Sequence, residues 1–132
     1  MNNKMIRFLL TILLLTGSAS LILACSVFKI GEIGSVKEAN ELAITCKTDE
    51  ALAAVDRAVQ GGGLGSSIGD LQRVVILRDA GRTAEANAAM AERNTRWNAD
   101  AKNVAEAEGA VTESMEELRA EREKRTGRRT CN

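Results

Sequence analysis

The sequence predicts an all-α fold, a small bundle of helical hairpins. Three observations carry the prediction. The 132 residues include no Pro, the residue that most disrupts a helix interior. Ala, Glu and Arg are abundant, and all three favour helix. β-branched residues are sparse and scattered, so no run reads as a strand.

Taken in order, Ser35-Val36-Lys37-Glu38 is a capping box that opens a first helix. Val36, Ala39, Leu42, Ala43 and Cys46 then fall at helical spacing. Thr48-Asp49-Glu50 reads as a second start, with acids facing the positive helix end. Its stripe, Leu52, Val55 and Val59, is rotated relative to the first, which predicts a bend or break near Lys47. Gly61-Gly62-Gly63 ends this helix, and GGGLGSSIG reads as a flexible hinge. A phosphate-binding loop would need Lys followed by Ser or Thr after its last Gly; here Asp70-Leu71 follows, so nucleotide binding is not expected.

Ser67 with Asp70 is a candidate cap for the next helix. The run Leu71, Val74, Val75, Ile76 and Leu77 suits a buried helix that Gly81 stops, and Thr83 can cap its successor. From 84 to 125 no residue forces a stop. Either one helix of about 63 Å follows, or two helices meet near Asn94–Asn98.

Met90, Trp97, Val104, Val111 and Leu118 lie seven apart. That repeat keeps side chains on one seam against a neighbouring helix. The seam reads either as the core face of a bundle within one molecule or as a coiled-coil surface for a partner. The charge-dense end predicts i,i+4 pairs Arg119–Glu123 and Glu121–Arg125. It reads as a solvated helix end; a basic patch from Lys124 to Arg129 meeting phospholipid headgroups or a polyanion is the alternative.

Residues 71–91, LQRVVILRDAGRTAEANAAMA, resemble the junction between two tetratricopeptide helices: an apolar helix, a Gly-Arg turn and a Glu-Ala start. The likeness covers about twenty residues and has no second copy at the 34-residue period, so it implies helix-turn-helix packing only.

The N-terminal residues have a different grammar. MNNKMIR carries two bases and no acid, FLLTILLL is apolar, and small residues follow at 16–20. This is the export pattern, and its apolar stretch is short for a permanent membrane span. Ile22-Leu23-Ala24-Cys25 resembles the lipobox of bacterial lipoproteins, with a bulkier middle residue than is usual. The resemblance implies that Cys25 takes a diacylglycerol, that the leader is cut off before it, and that the new amine is acylated by a palmitate-type chain. Residues 1–24 are then a signal peptide, 25–34 a tether and 35–132 the helical domain. Cleavage after Ser20 by the ordinary signal peptidase, or an uncleaved anchor helix, are the alternatives. By resemblance to the enterobacterial sorting pattern, Ser26 points to the outer membrane, facing the periplasm, over the inner membrane.

Three cysteines are an odd number for an exported protein. Lipidation of Cys25 leaves Cys46 and Cys131 as a pair in an oxidising compartment, where a disulfide is expected. Closing a loop of about 85 residues would add on the order of 2–4 kcal/mol. Two independent buried thiols are the rival reading.

Composition narrows the function. There is no His, hence neither the commonest acid/base catalyst near neutral pH nor the commonest metal ligand. Ser66 and Ser67 therefore lack a catalytic partner, and Asp49, Glu50 and Asp56 read as cap and surface. Losing Lys4 and Arg7 with the leader leaves 18 acids against 16 bases, a balance that does not draw nucleic acid. The expectation is a non-enzymatic envelope lipoprotein with no cofactor, metal, nucleic-acid partner or small-molecule substrate. Its partners would be the membrane, through the lipid anchor, and an envelope protein it helps to build or hold. An exclusion or lysis lipoprotein of plasmid or phage type is the alternative.

Overall fold

The structure, a computed structural model, describes residues 34–131. The expected signal peptide, Cys25 and most of the tether lie outside the described residues. Among those described, the fold is all-α, with five helices and no strand. These are α1 (34–44), α2 (Thr48–Gln60), α3 (Gly63–Asp79), α4 (Thr83–Arg96) and α5 (Ala101–Thr126). The chain is already helical at residue 34, so Ser35 lies within α1 and does not cap it.

Three of the four connections are built the same way. Lys47 N–H bonds the Leu42 carbonyl at 2.9 Å, Arg82 that of Leu77 at 2.8 Å, and Ala99 that of Asn94 at 2.9 Å. Each bond spans five residues and closes a Schellman turn around a left-handed residue. Those residues are Cys46 (φ 61°), Gly81 (φ 74°) and Asn98 (φ 46°). Gly81 takes this conformation without steric cost, and Asn tolerates it better than most. The break at Asn98 decides the question left open for 84–125: two helices form. Asp100 then caps α5, its side chain accepting from the Asn103 N–H at 2.8 Å.

The central element is α3, against which α2, α4 and α5 all pack. Its C-terminal half buries Val74, Val75, Ile76 and Leu77 on several sides at once, as the apolar run predicts. Its N-terminal half corrects the expected hinge. Only Gly61 and Gly62 stand between helices, and α3 begins at Gly63, so neither Ser67 nor Asp70 is a cap. Gly65 and Gly69 are buried helical positions. A Cβ on Gly69 would stand 2.8 Å from Val59 Cγ2 and 3.6 Å from the Val55 carbonyl oxygen. The glycine is there to let α2 approach closely, and α2 answers with buried Ala51, Ala54 and Ala58. Thr83 is likewise the first residue of α4 and not its cap; Arg82 stands in the cap position.

At one end the bundle is clasped. Cys46 and Cys131 are joined in a disulfide with a Cα–Cα distance of 5.5 Å. Beside it Arg122 of α5 is completely buried. Its Nε donates to the Ile44 carbonyl (3.3 Å), and Nη1 to Asp79 Oδ1 (3.2 Å) and the Arg129 carbonyl (3.0 Å). Nη2 donates to the Ala43 carbonyl (2.9 Å) and Asp79 Oδ2. A guanidinium has five N–H groups, and each meets an acceptor here. Two of those acceptors are carbonyls in the last turn of α1: that of Ile44, and that of Ala43, which also accepts from the Cys46 N–H at 3.1 Å. One side chain thus ties α1, α3, α5 and the C-terminal tail together.

The charged tail departs from its expected local pairing. Arg119 donates to Asp79 (3.0 Å), Arg125 to Glu41 (2.9 Å) and Arg129 to Glu116 and Glu123. These arginines reach other turns and other helices, so the i,i+4 pairs Arg119–Glu123 and Glu121–Arg125 do not form.

Candidate functional site

The other end of the bundle is built differently. Arg122 holds the C-terminal ends of both α1 and α3, and Asn40 accepts from Gln72 at 2.5 Å farther back along the two helices. The two helices therefore run side by side in the same direction, and their N-terminal ends lie away from the clasp. Glu38 receives a hydrogen bond from Arg57 at 2.8 Å, which brings the late part of α2 to the same region.

This tip exposes apolar surface. Leu64 is 74% exposed, Ile68 49% and Trp97 43%, the large hydrophobic side chains most open to solvent among the described residues. Leu64 and Ile68 begin the α3 stripe that continues through Leu71 and Val75. Farther along, Ala110 and Val111 of α5 meet this stripe, leaving a shallow recess of about 130 Å³ edged by Ile68, Leu71 and Val75. Gln72 and Ser114 connect it to a second recess of about 210 Å³ that also touches Asn40, Ile44 and Leu118. Residues 58–69 contain no Asp, Glu, Lys or Arg, while exposed Lys37 and the exposed Glu38–Arg57 pair stand at the same end.

Trp97 is fixed by a polar handle. Its indole N–H donates to Asp70 Oδ2 at 3.0 Å, and Arg96 Nη1 donates to both oxygens of the same carboxylate at 2.9 and 3.1 Å. Asp70 is buried on α3, so its charge is answered where it sits. Arg96 also donates to Glu92 at 2.5 Å. The indole is thus positioned next to the second turn of α3 with part of its ring open to solvent.

Other carboxylates serve as struts between helices. Glu108 on α5 receives Arg78 of α3 at 2.6 and 3.1 Å, and those hydrogen bonds hold its pKa below the ordinary carboxylate value against the opposing effect of desolvation. Glu85 is depressed in the same sense by Arg82, which also bonds Asp49. Asp56 receives Arg73. Among the described residues no group of three or more Cys, Asp or Glu could hold a metal ion, and no helix is long and apolar enough to cross a membrane.

The seven-spaced residues divide between two helices. Met90 lies in the middle of α4 and Trp97 is its C-cap; Val104, Val111 and Leu118 belong to α5. Met90, Val111 and Leu118 are buried in the core, Val104 is half-buried, and Trp97 is exposed on one side. The structure brings Cys46 and Cys131 together, and Cys25 lies outside the described residues. Sequence reasoning missed Leu64 and Ile68, which sat inside a glycine-rich stretch read as a hinge. The signal that could have found them is their four-residue spacing, in phase with Leu71 and Val75.

The chain matches no protein-family model, no curated protein and no solved structure. Its functional reading therefore rests on its own residues.

Proposed function

We propose that this chain is an exported bacterial lipoprotein, acylated on Cys25, whose helical body acts as a structural, assembly or protein-binding module of the cell envelope. The observation that carries the reading is the pairing of the other two cysteines. With Cys46 and Cys131 joined, Cys25 is the one left over of three, and it stands directly after an apolar leader ending Ile22-Leu23-Ala24. A disulfide suits a compartment outside the cytosol, which agrees with the export grammar of the leader. Two or more acyl chains give stable anchoring, each buried CH₂ contributing about 0.8 kcal/mol. Ser26 favours the outer membrane as the destination. The non-enzymatic reading rests on the missing His and the lack of any paired nucleophile and base in the sequence.

Metabolic labelling tests this. The wild-type chain should take up labelled palmitate and shift to the size of the processed form. Cys25→Ser should abolish the label and delay processing, and unchanged labelling of that variant would overturn the reading.

A further inference from the structure

We propose that the groove between α3 and α5 is the docking site for an amphipathic helix of a partner protein, apolar on its seating face and carrying Lys or Arg along the flank that meets α5. The proposal rests on the protein-binding part of the reading above and names the class of partner; it does not depend on acylation of Cys25.

The fold leaves this groove open. Successive residues of a helix point about 100° apart. Gly69 faces Val59 of α2, Asp70 faces Arg96 and Trp97 of α4, and Ile68 falls on the third side, toward α5. Ile68 of α3 stands beside Ala110 of α5, and Asp79 beside Arg122, so the two helices run in the same direction. The recess edged by Ile68, Leu71, Val75, Ala110 and Val111 opens past Gln72 and Ser114 into the one walled by Ile44, Leu118, Glu117 and Glu121. Val111 and Leu118 are seven residues apart on α5, about 10 Å or two turns. That is the spacing at which side chains i and i+7 of a docked helix enter two successive recesses.

Charge decides the kind of helix. Glu106, Ala110, Glu113, Glu117 and Glu121 follow at three- and four-residue intervals, which puts the four glutamates on the outer bank of α5. Lys102 and Lys124 lie 3.7 and 3.8 Å from Glu106 and Glu121. Among the described residues Glu113 and Glu117 make no ion pair, and Glu117 lines the second recess. The facing bank, on α1, carries exposed Lys37 one turn ahead of Asn40, while Arg125 is held by Glu41. A complementary helix is therefore basic on its α5 flank and not on both. An anionic phospholipid surface would meet the same glutamates with repulsion. Leu64, one turn before Ile68 and largely exposed, lengthens the apolar floor that such a helix would remove from water.

Two synthetic Ala-rich helices of about 18 residues, long enough to be helical alone, serve as probes. Each has a Leu face with one benzophenone at its centre; one carries Lys along the flank and the other Glu. The full chain is held in phosphatidylcholine nanodiscs, whose lipid has no net charge to recruit either helix. The basic helix should crosslink within 64–75 and 110–118, with a yield about fivefold or more above that of the acidic one. Ile68→Ser, which removes exposed apolar surface, should lower that yield. Glu117→Lys/Glu121→Lys should reverse the preference, a gain for the acidic helix that unfolding cannot produce. Crosslinks scattered over the surface, equal yields for the two helices, no crosslink to either, or a preference unchanged in the charge variant would each overturn the proposal. Palmitate labelling of the same samples tests the anchor separately. Label without groove crosslinks sinks the docking proposal alone, and groove crosslinks without label sink the lipid reading alone.

Discussion

Arg122 and Asp79, 43 residues apart in sequence, form an ion pair from which solvent is excluded, with every guanidinium N–H matched to an acceptor. Breaking a buried pair by removing one partner costs about 3–5 kcal/mol; here Asp79 would keep only Arg119, and the Ile44 and Arg129 carbonyls would lose the guanidinium donors that serve them. Arg122→Ala should lower stability by that amount in urea unfolding followed by circular dichroism. Arg122→Lys should recover little, since an ammonium cannot reproduce the planar fork. A loss under about 1 kcal/mol would mean that Arg119 and water replace the pair.

The disulfide and the buried arginine should prove coupled. The Arg129 carbonyl that Arg122 bonds belongs to the tail that Cys131 holds in place. Cys46→Ser/Cys131→Ser should cost about 2–4 kcal/mol. Combined with Arg122→Ala it should cost less than the sum, with a coupling of about 0.5–3 kcal/mol. Additivity within about 0.3 kcal/mol would show two independent devices.

Two glycine-to-alanine changes should act with opposite sign. At Gly69 the new methyl meets Val59 at 2.8 Å, and overpacking of this kind costs about 1–3 kcal/mol. At Gly109, exposed inside α5, nothing lies within 4 Å of the new methyl, and the helix should gain about 0.5–1 kcal/mol. Thermal unfolding of the two variants checks both, and Val59→Ala should relieve the first.

The fold was readable where the signal is local. The first-turn acids Asp49 and Glu50, the apolar run at 74–77 and the turns at Lys47 and Gly81 all lie within a few residues of what they determine. The glycine-rich segment misled because glycine serves two opposite purposes, freedom at a turn and close approach between helices. Only the presence of Val55, Ala58 and Val59 across from Gly69 decides between them. The seven-residue repeat was a second ambiguity. Its period runs unbroken through Asn98, yet a left-handed residue there turns the chain. Arg122 was invisible for a third reason: in a stretch dense with both charges, nothing local separates the buried arginine from its solvated neighbours. In the candidate site, Trp97 was singled out from the sequence, but its tie to Asp70 needed the antiparallel return of α4 along α3.

Acid should reveal the Glu108 strut. Its pKa is lowered in the folded state by Arg78, so its contribution is complete above the unfolded value of about 4.3 and is lost as pH falls through the lower folded value. The stability difference between wild type and Glu108→Gln should therefore stay constant at neutral pH and shrink below about pH 4. Because the pair is partly exposed, the effect should be a few tenths of a kcal/mol. Unfolding temperatures of both proteins across the acid range measure it; a difference independent of pH would remove the strut.

The bond between residues 46 and 131 also decides how the molecule bears tension. A pull applied between residue 34 and the C terminus travels down α1 to Cys46 and crosses directly to Cys131. The 85-residue separation between the two sulfurs is bypassed, so α2, α3, α4 and α5 cannot be drawn out and only the segment ahead of Cys46 can lengthen appreciably. Under reducing conditions the same pull reaches every helix in turn, and the extensible length grows several-fold.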